Sequence, residues 1–144
     1  MTTATNSEIG RHVRLYLYRL PTKNHDAMVN LSNQFAEIFK NHGCYARSFQ
    51  VESLEKSENF SNVANALSCK QDEEVWLDLE FTEDIKHRHE VDSKIQNEEN
   101  AGVLMKRFLG LIVQGSRPIK SDFVIPSSNG SRTKQYVSMN NETT

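Results

Sequence analysis

Residues 12–20 read HVRLYLYRL and residues 74–81 read EVWLDLEF. In the first stretch Val13, Leu15 and Leu17 alternate with Arg14, Tyr16 and Tyr18; in the second Val75, Leu77, Leu79 and Phe81 alternate with Trp76, Asp78 and Glu80. A strict period of two is the mark of a strand with two chemically different faces. Pro21 closes the first strand. Asn24 is placed to cap a helix whose first turn holds Asp26, where an anion suits the helix dipole. Met28, Leu31, Phe35, Ile38 and Phe39 then recur every three or four residues and form one helical stripe, which His42 and Gly43 terminate.

Residues 44–52 alternate again, with Tyr45, Arg47, Phe49 and Val51 on one side. Residues 53–72 are polar except for Phe60, Val63, Ala64 and Leu67, whose spacing predicts a short helix. A charged helix is expected over residues 84–96 around Ile85, Val91 and Ile95. Another is expected over 100–112, with a stripe of Val103, Leu104, Phe108, Leu111 and Ile112. Residues 115–118 turn the chain into a last short strand at 122–125.

The order strand, helix, strand, strand, helix, strand predicts an α+β, ferredoxin-like βαββαβ fold with a four-stranded antiparallel sheet. Right-handed crossovers put the helices on one side, with the first and third strands central and, on this reading, parallel. The helices are expected to cover Val13, Leu15, Leu17, Val75, Leu77 and Leu79. The opposite face would then carry Arg14, Tyr16, Tyr18, Trp76, Asp78 and Glu80, too aromatic for free solvent and too charged for a dry core. That mixture predicts a homodimer interface, sheet against sheet, with Arg14 paired to Asp78 or Glu80.

Two stretches carry a family resemblance. Leu20-Pro21-Thr22-Lys23-Asn24-His25-Asp26-Ala27 with Asn41-His42-Gly43, and Asp72-Glu73-Glu74-Val75 with His87-Arg88-His89-Glu90-Val91, resemble the YbaA-like family of unknown function over residues 12–96. Leu111 to Arg117 running into Ser121-Asp122-Phe123 is similar to the NIPSNAP-like proteins. Both resemblances imply the dimeric α/β-barrel superfamily, in which two four-stranded sheets build a shared barrel. The superfamily includes small monooxygenases and haem-dependent chlorite dismutase relatives, so the resemblance also implies that a ligand cavity is worth seeking. Neither resemblance supplies a catalytic residue.

Length and composition agree with one domain. The chain has 144 residues, 37% hydrophobic and 25% charged, with six Gly and three Pro, and a chain of this size buries about two-thirds of its surface. Residues 12–126 are expected to form the domain, with loose polar ends at 1–11 and 127–144. No stretch approaches the roughly 18 apolar residues of a membrane span, and residues 1–10 lack the apolar centre of a signal peptide. With Cys44 and Cys69 outside any ligand spacing, a cytoplasmic protein is expected. A net charge of -2 gives neither nucleic acid nor an anionic membrane an electrostatic foothold.

Candidate chemistry is sparse. His87, His89 and Glu90 fall in one charged helix; His87 and His89 point about 200° apart and cannot share an ion. His87 with Glu90, or His89 with Asp92, share a face, but a pair is too few for a stable site. No metal and no cofactor is expected. Asp78 and Glu80 are the other acid–base candidates, since paired carboxylates under cover have their pKa values pushed apart. Phosphate-binding glycine loops, G-x-S-x-G and H-E-x-x-H are absent from the sequence. Tyr16, Tyr18 and Trp76 sit where an RNA-recognition sheet stacks bases, but the acidic third strand would repel phosphates. The expectation is a homodimeric, non-catalytic binding or assembly module. The alternative is a small-molecule enzyme, monooxygenase-like or isomerase-like, with a cavity between sheet and helices or between the two sheets, where Arg14, Tyr16, Asp78 and Glu80 would line it. The expected partners are a second copy and an unidentified small molecule.

Overall fold

The computed structural model describes residues 10–52, 55 and 57–126. Residues 1–9 and 127–144, nearly all of the expected loose ends, lie outside the described residues. The elements are β1 (His12–Pro21), a 3-10 turn (Thr22–Asn24), α1 (His25–Asn41), β2 (Tyr45–Gln50), α2 (Val63–Ala66), β3 (Glu73–Thr82), α3 (Ile85–Gln96), α4 (Glu99–Leu111) and β4 (Ile119–Val124). The fold is α+β, a four-stranded sheet in the order β2-β3-β1-β4 with every neighbouring pair antiparallel.

β1 and β3, expected to be parallel, run antiparallel from His12↔Thr82 to Pro21↔Glu73. The reason is topological. The crossover through α1 returns the chain as β2, parallel to β1, and β3 inserts between them antiparallel to both. Asn24 holds the cap position but makes no side-chain cap bond; its Nδ2 donates to the Leu111 carbonyl at 2.8 Å and ties the start of α1 to the end of α4. At the other end of α1, Gly43 takes φ +75. There its N–H donates to the Lys40 carbonyl, and that of Cys44 to the Phe39 carbonyl, closing the helix in the left-handed conformation that glycine tolerates.

The two faces of the sheet are the reverse of the expectation. Tyr18, Leu20 and Trp76 pack with Met28, Leu31, Leu104 and Ile112 in the main core cluster, beneath α1 and α4. Phe39, Cys44 and Val91 form a second cluster between α1 and α3. The helices therefore cover the face of Arg14, Tyr16, Tyr18, Trp76, Asp78 and Glu80. Val13, Leu15, Leu17, Leu77 and Leu79 point away from them. On that outer face Tyr45, Phe49 and Phe123 are about half exposed, while Val75, at the end where α2 lies against β3, is buried.

An apolar alternation says that a face is covered without saying by what. The charges on the other face needed partners, and the helix α3 brings them. The six residues assigned to a dimer interface are thus inside the subunit, and the pairing of Arg14 with Asp78 or Glu80 gives way to pairing with helix and edge-strand carboxylates.

Candidate functional site

Between the two core clusters the helices stand off from the sheet and leave a cavity of about 930 Å3. Its floor is the inner face of the central strands. Tyr16 and Asp78 are cross-strand partners there, as are Tyr18 and Trp76. β2 contributes the small residues Ala46 and Ser48, facing Glu80 and Asp78, which makes room beneath α1. Phe35 from α1 and Phe108 from α4 form walls, and Val29, Met105 and Leu109 line the cavity while remaining exposed.

One end of the floor is an ion-pair network. Arg14 binds two carboxylates, each through two bonds: Asp122 on the neighbouring strand, at 2.7 and 3.1 Å, and Asp92 on α3, at 2.8 and 3.2 Å. Arg88, only 1% exposed, donates from Nη1 to Glu80 at 3.0 Å and from Nε and Nη2 to Asp92 at 3.1 and 2.8 Å. Burial works against the Arg14 cation, but Asp122 and Asp92 outweigh it and hold its pKa above the usual value. Glu80 is pushed up to about 7 by burial, against the pull of Arg88 and Arg14. His12 lies next to this network with Nδ1 3.3 Å from the Thr82 hydroxyl. Its Nε2 is buried without a hydrogen-bond partner, 3.9 Å from Asp122, and burial lowers its pKa despite that carboxylate.

Asp78 is different. The Tyr18 hydroxyl donates to it at 3.0 Å, and no cation among the described residues pairs with it. Burial raises its pKa to about 6, opposed only by hydrogen bonds from Ser48 and Tyr18. Tyr18 is itself raised by burial and then by the Asp78 charge, so its proton stays in place and the hydroxyl remains a donor. Tyr16 is raised to about 12, by burial first and by Glu80 second. Trp76 is fixed in the floor: its Nε1 donates to Glu74 at 2.8 Å, and the His25 ring meets it edge-on at 5.6 Å.

The α3 candidates do not converge. His87 is engaged at the helix start, where its N–H donates to Asp84 and its Nδ1 accepts from the Glu83 N–H. His89 and Glu90 are exposed on the outer side, and Asp92 is taken by the two arginines. Among the described residues no group of three or more His, Cys, Asp or Glu side chains could hold a metal ion. Tyr16, Tyr18 and Trp76 lie beneath helices, so they do not form an open platform on which bases could stack. Among the described residues no helix is long and apolar enough to cross a membrane.

The sequence reading found Asp78, Glu80, Tyr16, Tyr18 and Trp76 but not the roles of Arg88, Asp92, Asp122 and His12. A signal existed for the first two. Arg88 and Asp92 sit in phase with Ile85, Val91 and Ile95, so the buried stripe of α3 contains a charged pair that must meet complementary charge on the sheet.

No curated protein matches the chain. A family described as a protein of unknown function, DUF1428, matches residues 11–107, a span that takes in the first three strands, the floor residues Tyr16, Asp78 and Glu80, and both arginines of the ion-pair network; the chain belongs to that family.

Proposed function

We propose that the protein is a homodimer that binds a small organic molecule in each subunit, between the sheet and the helices. The observation that carries the reading is the cavity itself. At about 930 Å3 it falls within the roughly 300–1,000 Å3 of small-molecule sites, and it has their composition, mainly apolar walls with a few convergent polar groups. Among the carboxylates lining the cavity, Asp78 is the one that the ion-pair network does not occupy. The free Cys44 and Cys69 thiols suit a reducing compartment such as the cytosol.

The homodimer rests on the outer face of the sheet. Leu15 and Leu79 are cross-strand partners at its centre, with Phe81, Tyr45 and Phe49 along one side and Phe123 along the other. Four strands about 4.8 Å apart and about 20–34 Å long present a flat footprint of about 500 Å2, somewhat under the roughly 800 Å2 that one partner buries in a standard interface. A patch of this size stands toward the upper end of what a monomer leaves in water, where such patches are often functional. The two faces thus divide the work, the outer one for assembly and the inner one for the ligand, as the resemblance to the dimeric α/β-barrel superfamily implies.

Native mass spectrometry of protein from a gentle purification tests both halves. The expected spectrum is a dimer carrying a defined extra mass on each subunit, and Leu15→Asp should turn the dimer into a folded monomer. A wild-type monomer would refute the assembly, and bare chains that take up no small molecule would refute the binding. A second reading, an isomerase-like proton-transfer enzyme, is favoured by Asp78 near 6 and Glu80 near 7, since such groups exchange protons at neutral pH.

A further inference from the structure

The geometry points to an ammonium group on an apolar aryl or alkyl body as the ligand of this cavity, docked with its cation on Asp78 and its body toward the mouth; the inference rests on the binding reading above and names its substrate class. Three features of the molecule support it.

The first is an imbalance of partners. Arg14 and Arg88 each hold two carboxylates, so neither guanidinium is free to receive an anionic ligand. Asp78 holds no cation. Lys120 and Arg47 stand at the rim, and Arg47 is engaged with the Tyr45 hydroxyl at 3.0 Å. Neither forms an ion pair with Asp78, whose pKa is raised by burial against hydrogen bonds from Ser48 and Tyr18. An unpaired carboxylate under cover is costly, and a charge of opposite sign is what relieves that cost.

The second is what surrounds the carboxylate. Trp76 is two residues away on the same strand face, Tyr16 is directly opposite, and Phe35 and Phe108 complete the walls. The Tyr18 ring is held between Trp76, at 6.5 Å and nearly parallel, and Phe108, at 4.9 Å and edge-on. An ammonium on Asp78 would therefore lie beside a cluster of aromatic rings, surroundings that suit a cation better than an anion.

The third is the mouth. Val29, Met105 and Leu109 line the cavity and are exposed at 41%, 45% and 50%. Apolar side chains at that opening suit a ligand whose far end is hydrocarbon, and they disfavour one that is polar at both ends.

The test uses the full chain and three isosteric probes: 2-phenylethylamine, the neutral 2-phenylethanol, and phenylacetate. The sequence has one tryptophan, so the indole N–H signal of Trp76 in a nitrogen-15 correlation spectrum reports the site without assignment ambiguity. The expected result is that the amine binds at least about tenfold more tightly than the alcohol, and the acid least, because a hydrogen-bonded charge pair discriminates by roughly that factor. Asp78→Asn should bring the amine to the affinity of the alcohol and leave the alcohol within about twofold. Equal binding of amine and alcohol by the wild type, or a preference for the acid, overturns the inference and leaves the cavity reading standing. An Asp78→Asn protein that keeps the full preference for the amine overturns it as well. If saturating amounts of all three probes leave Trp76 unmoved, the inference and the binding reading both fall.

Discussion

Replacing Asp78 by Asn should make the protein more stable at neutral pH, not less. The side chain is half-buried, accepts from Tyr18, and faces no cation among the described residues. Its pKa rises from 3.8 to about 6, which at 1.36 kcal/mol per unit corresponds to about 3 kcal/mol of destabilisation once the group is ionised. The sign follows from proton binding. The folded state holds the Asp78 proton more tightly than the unfolded state does, so the stability it contributes is complete below about pH 4 and is lost as the pH rises to about 6. Asn is isosteric, cannot ionise, and still accepts from the Tyr18 hydroxyl through Oδ1. Its amide N–H groups face the Ser48 hydroxyl and the cavity, and imperfect bonding there takes back about 1 kcal/mol. The expected net gain at pH 7.5 is about 2 kcal/mol, shrinking as the pH falls and reversing to a loss of about 1 kcal/mol below about pH 4, where only the amide's cost remains. Urea unfolding of both proteins at pH 4, 5, 6 and 7.5, at one fixed protein concentration because the stability of the proposed dimer would depend on it, measures the difference directly. A variant less stable than wild type at pH 7.5, or a difference independent of pH, would mean that Asp78 is paired with a cation in the native protein and that the site argument is wrong.

Two further outcomes follow from the same geometry. Arg88→Met removes three hydrogen bonds from a fully buried guanidinium and leaves Glu80 without its partner; the expected cost is about 3 kcal/mol at pH 8, smaller at pH 6 because Glu80, already near 7, can then take a proton. Urea midpoints at the two pH values check this, and a loss under about 0.5 kcal/mol at pH 8 would contradict a closed ion-pair network. Gly43→Ala should lower stability by about 1 kcal/mol, the cost of forcing a Cβ into the left-handed region at φ +75, since the added carbon would only touch the His87 ring at 3.4 Å. A thermal melt that matches wild type would show that α1 does not end in this conformation.

Much of the fold was legible because periodicity is a local property. The strands around Leu15 and Leu77, the stripe from Met28 to Phe39 and the glycine stop at Gly43 each follow from spacing within one segment, and their order leaves few topologies open. The orientation of the sheet was not local. Val13, Leu15 and Leu17 alternate as they would under a helix, and only the charges of α3 distinguish the two faces. Arg88 and Asp92 fall in the buried stripe of a helix otherwise poor in apolar residues, and the one sheet face that can receive them is that of Arg14 and Glu80. The reversal also explains the site. Asp78 and Tyr16 were identified as chemically unusual, but the cavity considered for them lay between two sheets, whereas the one they line lies under the helices. The edge-strand carboxylate Asp122 and the orphaned His12 depend on pairings 108 and 70 residues apart in sequence, which no segment-by-segment reading reaches.

The polar residues under the helices separate into two kinds, and the separation is what gives the site its meaning. Arg14, Arg88, Glu80, Asp92 and Asp122 close on one another: each guanidinium has two carboxylates, and the network links β1, β3, β4 and α3. Buried networks of this kind add little net stability over apolar packing but fix one arrangement, and here they fix the height of α3 above the sheet, and so one wall of the cavity. Asp78 closes on nothing of opposite charge. Packing does not require it there, since its neighbours Trp76, Tyr18 and Phe108 form a sound apolar cluster without it. A carboxylate held in that position at a cost to folding is what a stability–function trade-off looks like in a single side chain. The apolar outer face follows the same logic at a larger scale. Among the described residues neither feature is satisfied, and each would become favourable with the partner proposed for it, a second subunit on one side of the sheet and a cation on the other.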